Sequence, residues 1–319
     1  MGPTSPVPIS YVLPIATARP EPDPDLTAYL RRLAGEVGDL LVVDGSPDDV
    51  FARNDVEWTG LGRHVRPARR TPNGKVGGVV TGLALAAYDR VVIADDDVRW
   101  TAGGLRALAE ELRTADAVVP QNHYDPPRGA GRYDTARCLV HRGLGGDMPG
   151  TLGVRRAALP DGYRGDVLFE NLELLRTVTA HGGRVRWRLD LLVARRPPAL
   201  RRLVGQRVRQ AYDEFARPAY LVAELAVLPA VLGALVLGRP LVALTPAGGA
   251  VVLAEVGRWR AGGKAVFSPL ASLLAPVWLA ERAVCVWLAL GYRFAGGVPY
   301  RGKRLRVAAS PRRLPAAAR

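Results

Sequence analysis

Arg90-Val91-Val92-Ile93-Ala94-Asp95-Asp96-Asp97 is an apolar run that ends abruptly in three consecutive carboxylates. Four apolar residues in a row, rich in β-branched types, predict a buried parallel strand. Three adjacent acids at its carboxyl end cannot lie in a core unpaired, because buried charge without a partner is too costly. In open α/β sheets the carboxyl ends of strands are where ligands bind. Clustered carboxylates suit a hard divalent cation, Mg²⁺ or Mn²⁺, that bridges to substrate phosphates. A solvated acidic turn before a helix starting near Thr101 is the plain alternative for these residues in isolation.

Upstream, Ser10-Tyr11-Val12-Leu13-Pro14-Ile15 reads as a first strand, and Pro20-Glu21-Pro22-Asp23-Pro24-Asp25 as a loop ending in a helix cap. Leu26, Leu30, Leu33 and Val37 recur at helical spacing. Asp39-Leu40-Leu41-Val42-Val43-Asp44-Gly45-Ser46 is a second strand, again closing on a carboxylate and a turn. Strand, helix, strand begins a parallel α/β sheet. Next come a basic stretch from Arg63 to Arg70 and the glycine-rich turn Asn73-Gly74-Lys75-Val76-Gly77-Gly78. Such a turn entering a helix can hold phosphate oxygens. It lacks the full P-loop pattern.

Downstream, Leu105, Leu108 and Leu112 mark a helix, and Ala117-Val118-Val119-Pro120 a strand. Residues 121–147 read as one long polar loop, functional or mobile at that length. His123 and His141 have no metal-like partner spacing and read as loop residues. A helix is expected from Asp166 to about His181. Arg184 to Val193 reads as a last strand whose alternating arginines suggest an edge.

After Pro197-Pro198 the character changes. Residues 1–183 carry 21 Lys/Arg against 24 Asp/Glu, and residues 184–319 carry 23 against 6, within a net charge of +14. The basic part also holds apolar runs at Ala219–Leu237, Leu241–Val256 and Phe267–Tyr292, the first long enough to span a bilayer. Basic residues beside apolar runs point to a membrane surface rather than nucleic acid. The two cysteines, Cys138 and Cys285, form no disulfide framework and fit a reducing compartment. Met1 to Pro8 has neither the basic nor the apolar region of a secretory signal. High Ala, Arg, Gly and Pro usage hints at a bacterial source. Four units are expected: 1–198, catalytic; 199–218, a basic interfacial segment; 219–296, transmembrane or interfacial helices; and 297–319, a basic cytoplasmic tail.

The ordered set resembles the family-2 glycosyltransferases of GT-A fold. Residues 9–193 carry most of the likeness. Val42-Val43-Asp44-Gly45-Ser46 resembles the family's first acidic motif, Asn73-Gly74-Lys75 its Asn-x-Gly-Lys stretch, and Asp95-Asp96-Asp97 its DxD signature. Gln206-Arg207-Val208-Arg209-Gln210 is similar to the Gln-x-x-Arg-Trp motif of membrane-attached members, the ceramide glucosyltransferase-like enzymes and cellulose synthases, with Gln210 in place of Trp. Val298-Pro299-Tyr300-Arg301-Gly302-Lys303 resembles a tail motif of related members.

The resemblance implies an α/β sheet, mostly parallel and sandwiched by helices, followed by membrane-associated helices. It implies a nucleotide-sugar donor, a lipid-linked or amphipathic acceptor, and single displacement with inversion. Asp44 would meet the base or ribose, Lys75 the diphosphate, and Asp95 with Asp97 the Mg²⁺ or Mn²⁺. Asp96, Gln206, Arg207 and Arg209 would complete the donor site. The family's general base is the Asp of a Glu-Asp pair, but the pair here is Glu170-Asn171, and an Asn cannot accept the proton. Glu170 is therefore the expected base, with Asp166 or Glu173 behind it. The alternative is an impaired GT-A membrane protein serving as a binding or partner subunit. A sugar-phosphate nucleotidyltransferase ranks below both, since its glycine-rich signature is missing from residues 1–20.

The plain readings are Asp44 as a turn residue, Lys75 as a solvated helix start, and Gln206 with Arg209 as a basic amphipathic face. The positive-inside rule places Arg195 to Arg217, and with them the catalytic domain, in the cytoplasm of a cell-membrane protein. A hairpin of the first two apolar runs returns the chain to that side. Residues 267–293 are then expected to lie in the interface or re-enter.

Overall fold

The structure, a computed structural model, describes residues 5–18 and 21–311. Pro20 of the expected loop, Met1 to Thr4 of the start and the tail beyond 311 lie outside the described residues. The chain runs β1 (Val7–Ile15), α1 (Pro24–Ala34), β2 (Val37–Asp44), α2 (Asp48–Glu57), β3 (Arg63–Val65), α3 (Gly74–Leu85), β4 (Arg90–Ala94) and β5 (Val98–Arg99). It continues through α4 (Ala102–Glu111), β6 (Ala117–Tyr124), α5 (Gly129–Gly143), β7 (Thr151–Arg155), α6 (Glu170–Ala180) and β8 (Val185–Arg195). The last part comprises α7 (Leu200–Tyr212), a 3-10 turn (Asp213–Ala216), α8 (Pro218–Val236), α9 (Pro240–Ala243), α10 (Thr245–Trp259), α11 (Pro269–Leu273), α12 (Ala275–Phe294), β9 (Val298–Tyr300) and β10 (Lys303–Leu305).

One sheet carries strands β1 to β8 in the order β3-β2-β1-β4-β7-β6-β8-β5. The β3-β2-β1-β4 half is parallel, β7 runs antiparallel to both β4 and β6, and β8 is parallel to β6. Apolar side chains fill both faces. Tyr11, Leu13, Val92 and Leu105 belong to one core, and Val12, Leu41, Ile93 and Val79 to the other. This is the α/β sandwich of the GT-A expectation, with apolar helices after it. Small residues set the spacing on the α3 face: a Cβ on Gly82 would meet Val12 Cγ1 at 2.3 Å, so α3 lies close on β1.

Three expectations need correcting. Residues 121–147 are not a loop: β6 continues to Tyr124 and α5 follows. Polar residues hid that helix, because Asp134, His141 and Arg142 are themselves buried, so α5 shows no two-sided pattern. The arginine-rich strand β8 is not the outermost strand, since the two-residue β5 pairs along it at Val98 and Arg99. The basic tail is not free through residue 310. Leu168 and Phe169 N–H donate to the carbonyls of Val307 and Ala308 at 2.9 and 2.8 Å, and Glu173 accepts from the Ser310 hydroxyl at 2.7 Å.

Candidate active site

The carboxyl ends of β1, β2 and β4 open into a cleft of about 1440 Å³. Its walls are the turn after β2, residues 66–75, the start of α6, one face of α7 and the β9–β10 hairpin. Asn73 organises the floor. Its Oδ1 accepts from Lys75 N at 3.2 Å, capping α3, and from the Tyr300 hydroxyl at 3.1 Å. Its Nδ2 donates to Val167 O at 2.9 Å, which ties the α3 start to the segment before α6.

At the centre, Lys75 Nζ lies 2.6 Å from Asp95 Oδ1 and 2.8 Å from Glu170 Oε1. Burial alone would depress the lysine pKa, but the two carboxylates outweigh it and hold it raised. Burial pushes Asp95 up, and Lys75 with Arg195 outweighs that and holds it lowered. Arg195 Nε donates to Asp97 Oδ1 at 2.9 Å, and Nη2 lies 3.5 Å from Asp95 Oδ2. Burial dominates at Asp97; the neighbouring Asp95 and Asp96 add to it against Arg195, and its pKa is raised. Asp96 faces Arg202 at 3.8 Å. Gly150 leaves the space Asp95 needs, since a Cβ there would sit 2.7 Å from Asp95 Oδ2. Hard carboxylate oxygens on Asp95 and Asp97, at a strand end beside a cleft, fit a Mg²⁺ or Mn²⁺ ion by donor chemistry.

Lys75, Asp95, Asp96, Glu170, Gln206 and Arg209 line the cleft, and Asp97 stands behind Asp95. The other expected residues do not meet them. Asp44 is fully buried, with Oδ1 accepting from Ser46 N and Oδ2 from Asn54 and the ring of His64, so it shapes the turn and presents no atom to a ligand. Arg207 points to the far side of α7. Its Nη1 is 2.7 Å from Asp134 Oδ1 and its Nε 3.0 Å from Glu281 Oε2, so it joins α7 to α5 and α12. Asp166 is an exposed partner of Arg164, and Glu173 is occupied by Ser310. Asn171 Nδ2 donates to Pro149 O at 3.0 Å, a structural link.

Several cleft residues escaped the sequence reading. Arg195 was hidden among the arginines of β8. Arg69 and Arg70 of the basic stretch and Arg301 and Lys303 of the tail motif, to which no site role was given, face the cleft, as does the expected Arg209, all with no ion-pair partner among the described residues. Arg209 lies over the Tyr300 ring, 5.7 Å from its centroid. Asp213 also lines the cleft, and its Oδ1 is buried without a hydrogen-bond partner. Burial first, and then Glu170, push its pKa well above the carboxylate range. Asp213 lies three residues past the Gln206–Gln210 motif, on a turn after α7, and nothing in its own spacing gave a signal.

The sequence matches no protein-family model and no curated protein. Among solved structures it is similar to glucosyl-3-phosphoglycerate synthase from Mycobacterium tuberculosis in complex with Mn²⁺, UDP and phosphoglyceric acid. That likeness has 21% identity over 62% of this chain and 73% of the other, with a TM-score of 0.42. It is also similar to the mannosyltransferase PcManGT from Pyrobaculum calidifontis in complex with GDP-Man and Mn²⁺, at 19% identity over 89% of this chain and 88% of the other, with a TM-score of 0.49.

Proposed function

We propose that the chain is a membrane-attached glycosyltransferase that moves a sugar from a nucleotide-sugar to a hydroxyl of a lipid-linked or amphipathic acceptor, with inversion. The observation that carries this reading is the cleft itself, where carboxylates at a strand end stand beside cations that have no carboxylate partner. A donor diphosphate supplies the missing negative charge. Lys75, Arg209, Arg301 and Lys303 bind it, and Arg69 and Arg70 extend the positive wall. The nucleoside rests against the turn Gly45–Asp48, whose shape buried Asp44 maintains. Asp95 and Asp97 hold a Mg²⁺ or Mn²⁺ ion, which when bound supplies positive charge against the departing nucleoside diphosphate.

The acceptor hydroxyl must lose a proton as it attacks. Glu170 is the expected base and stands in the cleft, but Lys75 holds its Oε1. Asp213 Oδ1 has no hydrogen-bond partner among the described residues, but burial and then Glu170 hold its carboxyl well above the carboxylate range, so it keeps its own proton and cannot take another. That leaves Glu170 as the base, through the carboxylate oxygen that Lys75 does not hold, and as an anchor of Lys75.

Membrane attachment rests on three helical stretches long and apolar enough to cross a bilayer, Pro218–Val236, Pro240–Ala265 and Pro269–Phe294. Their outward side chains include Val236 at 88%, Leu241 at 80% and Phe294 at 82% exposure. Arginines beside them favour a cytoplasmic catalytic side.

A donor screen on detergent-purified protein tests the reading. Nucleotide-sugars are offered singly with Mn²⁺ or Mg²⁺, and nucleoside diphosphate release is read with and without polar lipid extract. Release that needs one donor, the metal and the extract is expected. Metal-dependent donor binding without release under any acceptor would favour the partner-subunit alternative, and no donor binding would sink the enzyme reading.

A further inference from the structure

Glu224 is the one charged residue in α8, and it points inward, 7% exposed. A carboxylate in an apolar helix is expensive and needs a partner. It meets His141 of α5 and Glu214 of the 3-10 turn, both buried, and one ligand atom from each of the three lies within 4.8 Å of the others.

The hydrogen bonds fix what each atom offers. Asp147 Oδ1 lies 2.6 Å from Arg137 Nη1 and 3.0 Å from His141 Nδ1. Paired with the Arg137 guanidinium, Asp147 is a carboxylate and accepts. His141 Nδ1 therefore carries the hydrogen. With Nδ1 donating, Nε2 is left as the ring's acceptor. Among the described residues Nε2 has no partner, and neither has Glu224 Oε2. Two acceptors that share a buried space need an electropositive atom between them. A carboxylate behind the imidazole is also how proteins orient a metal-ligating histidine.

The neighbouring guanidinium groups leave room for it. Arg217 holds Glu214, with Nε 2.9 Å from Oε2. Arg282 stays 3.8 Å from Glu224 Oε1, and its Nε and Nη1 make no hydrogen bond. Each carboxylate can bridge an arginine on one side and a cation on the other.

We propose that His141, Glu214 and Glu224 form a second, structural site for a divalent transition metal of the Zn²⁺ class. One imidazole nitrogen and two carboxylates suit Zn²⁺ better than Mg²⁺. The ion would lock α5, the 3-10 turn and α8 together, one residue from Asp213 of the cleft. It is separate from the donor-side carboxylates and does not depend on the proposed transfer reaction.

The full chain, purified in detergent, is incubated with Zn²⁺, desalted and assayed by elemental analysis. About one equivalent should remain per chain, and Zn²⁺ should raise the melting temperature. An Asp95→Asn/Asp97→Asn double variant should retain that equivalent, whereas Glu224→Gln and His141→Gln should lose both it and the thermal shift. Should those two fail to fold, the visible spectrum of Co²⁺ bound to the unaltered chain decides, since intense d–d bands mark a tetrahedral site and weak ones do not. No retained Zn²⁺ and no thermal shift in the unaltered chain would mean that a proton bridges the acceptors, and the site is overturned. Loss of the equivalent in the Asp95/Asp97 variant would also overturn it.

Discussion

Lys75 joins three parts of the chain with one ammonium group: the start of α3, the end of β4 through Asp95, and the start of α6 through Glu170. Glu170→Gln should cut transfer by about 10²–10⁴-fold, the usual worth of a general base, and should also weaken donor binding, because Lys75 loses one of its two anchors. Asp213→Asn replaces one neutral group with another and should leave turnover within a few-fold. Titrating donor binding and measuring turnover on both variants checks this; a loss of turnover confined to Asp213→Asn would move the base there. Much of this centre was legible from sequence. Asp95-Asp96-Asp97 announces itself because acids must leave a buried strand at its end, and Lys75 because glycines surround it. Asp44 misled, since a strand-ending carboxylate serves a ligand or its own turn with the same spelling. Asp213 and Arg195 were invisible, because their value comes from the fold that carries them to the cleft.

At the scale of elements, α5 decides how the apolar helices sit. It crosses α10 in backbone contact, where a Cβ on Gly257 would lie 1.9 Å from Leu139 O and one on Gly143 2.2 Å from Leu253 O. Main-chain atoms cannot rotate aside, so Gly257→Ala should destabilise the protein by about 1–3 kcal/mol, the ordinary cost of overpacking. Melting in detergent reads that loss, and an unchanged midpoint would show that the helices do not touch there. The β9–β10 hairpin is the second decisive element. Tyr300→Phe removes the hydroxyl that binds Asn73 but keeps the ring beneath Arg209. Donor affinity should fall several-fold with the melting temperature little changed. Sequence periodicity found β1, β2, β4, β6 and β8 with α1, α4 and α6, and missed α2, the short β3, β5 and β7, and α5, whose charges are largely buried and paired so that it has little polar face to display.

For the molecule as a whole, both ends of the apolar segment are fastened to the same body. Upstream, Arg207 of α7 binds Asp134. Downstream, Val307 bridges to Val167. On the proposed membrane reading, the chain between them crosses the bilayer an even number of times, which argues against three full spans. Single cysteines at Gly238 and at Lys264, in a chain freed of Cys138 and Cys285, test this in sealed vesicles. With a hairpin, only Gly238→Cys should label from the side opposite the catalytic domain. With flat interfacial helices, neither should. Acid stability is set by the same inner network. Burial raises Asp134, but Arg137 and Arg207 outweigh it and hold its pKa below the usual range. A carboxyl depressed on folding stabilises the native state above its unfolded pKa of about 3.9 and loses that contribution as pH falls below it. The melting temperature should therefore hold steady from pH 7 to about 5 and drop as pH falls below about 4.

The strand contact at Val307 also sets an order of events during synthesis. Residues 5–195 leave the ribosome with the sheet and the acidic triplet complete, yet the cleft still lacks Tyr300, Arg301 and Lys303. Those side chains arrive only after the three long apolar helical stretches have emerged. A nascent chain thus has no finished cleft, and its last wall is delivered by the stretch of chain that follows the apolar helices.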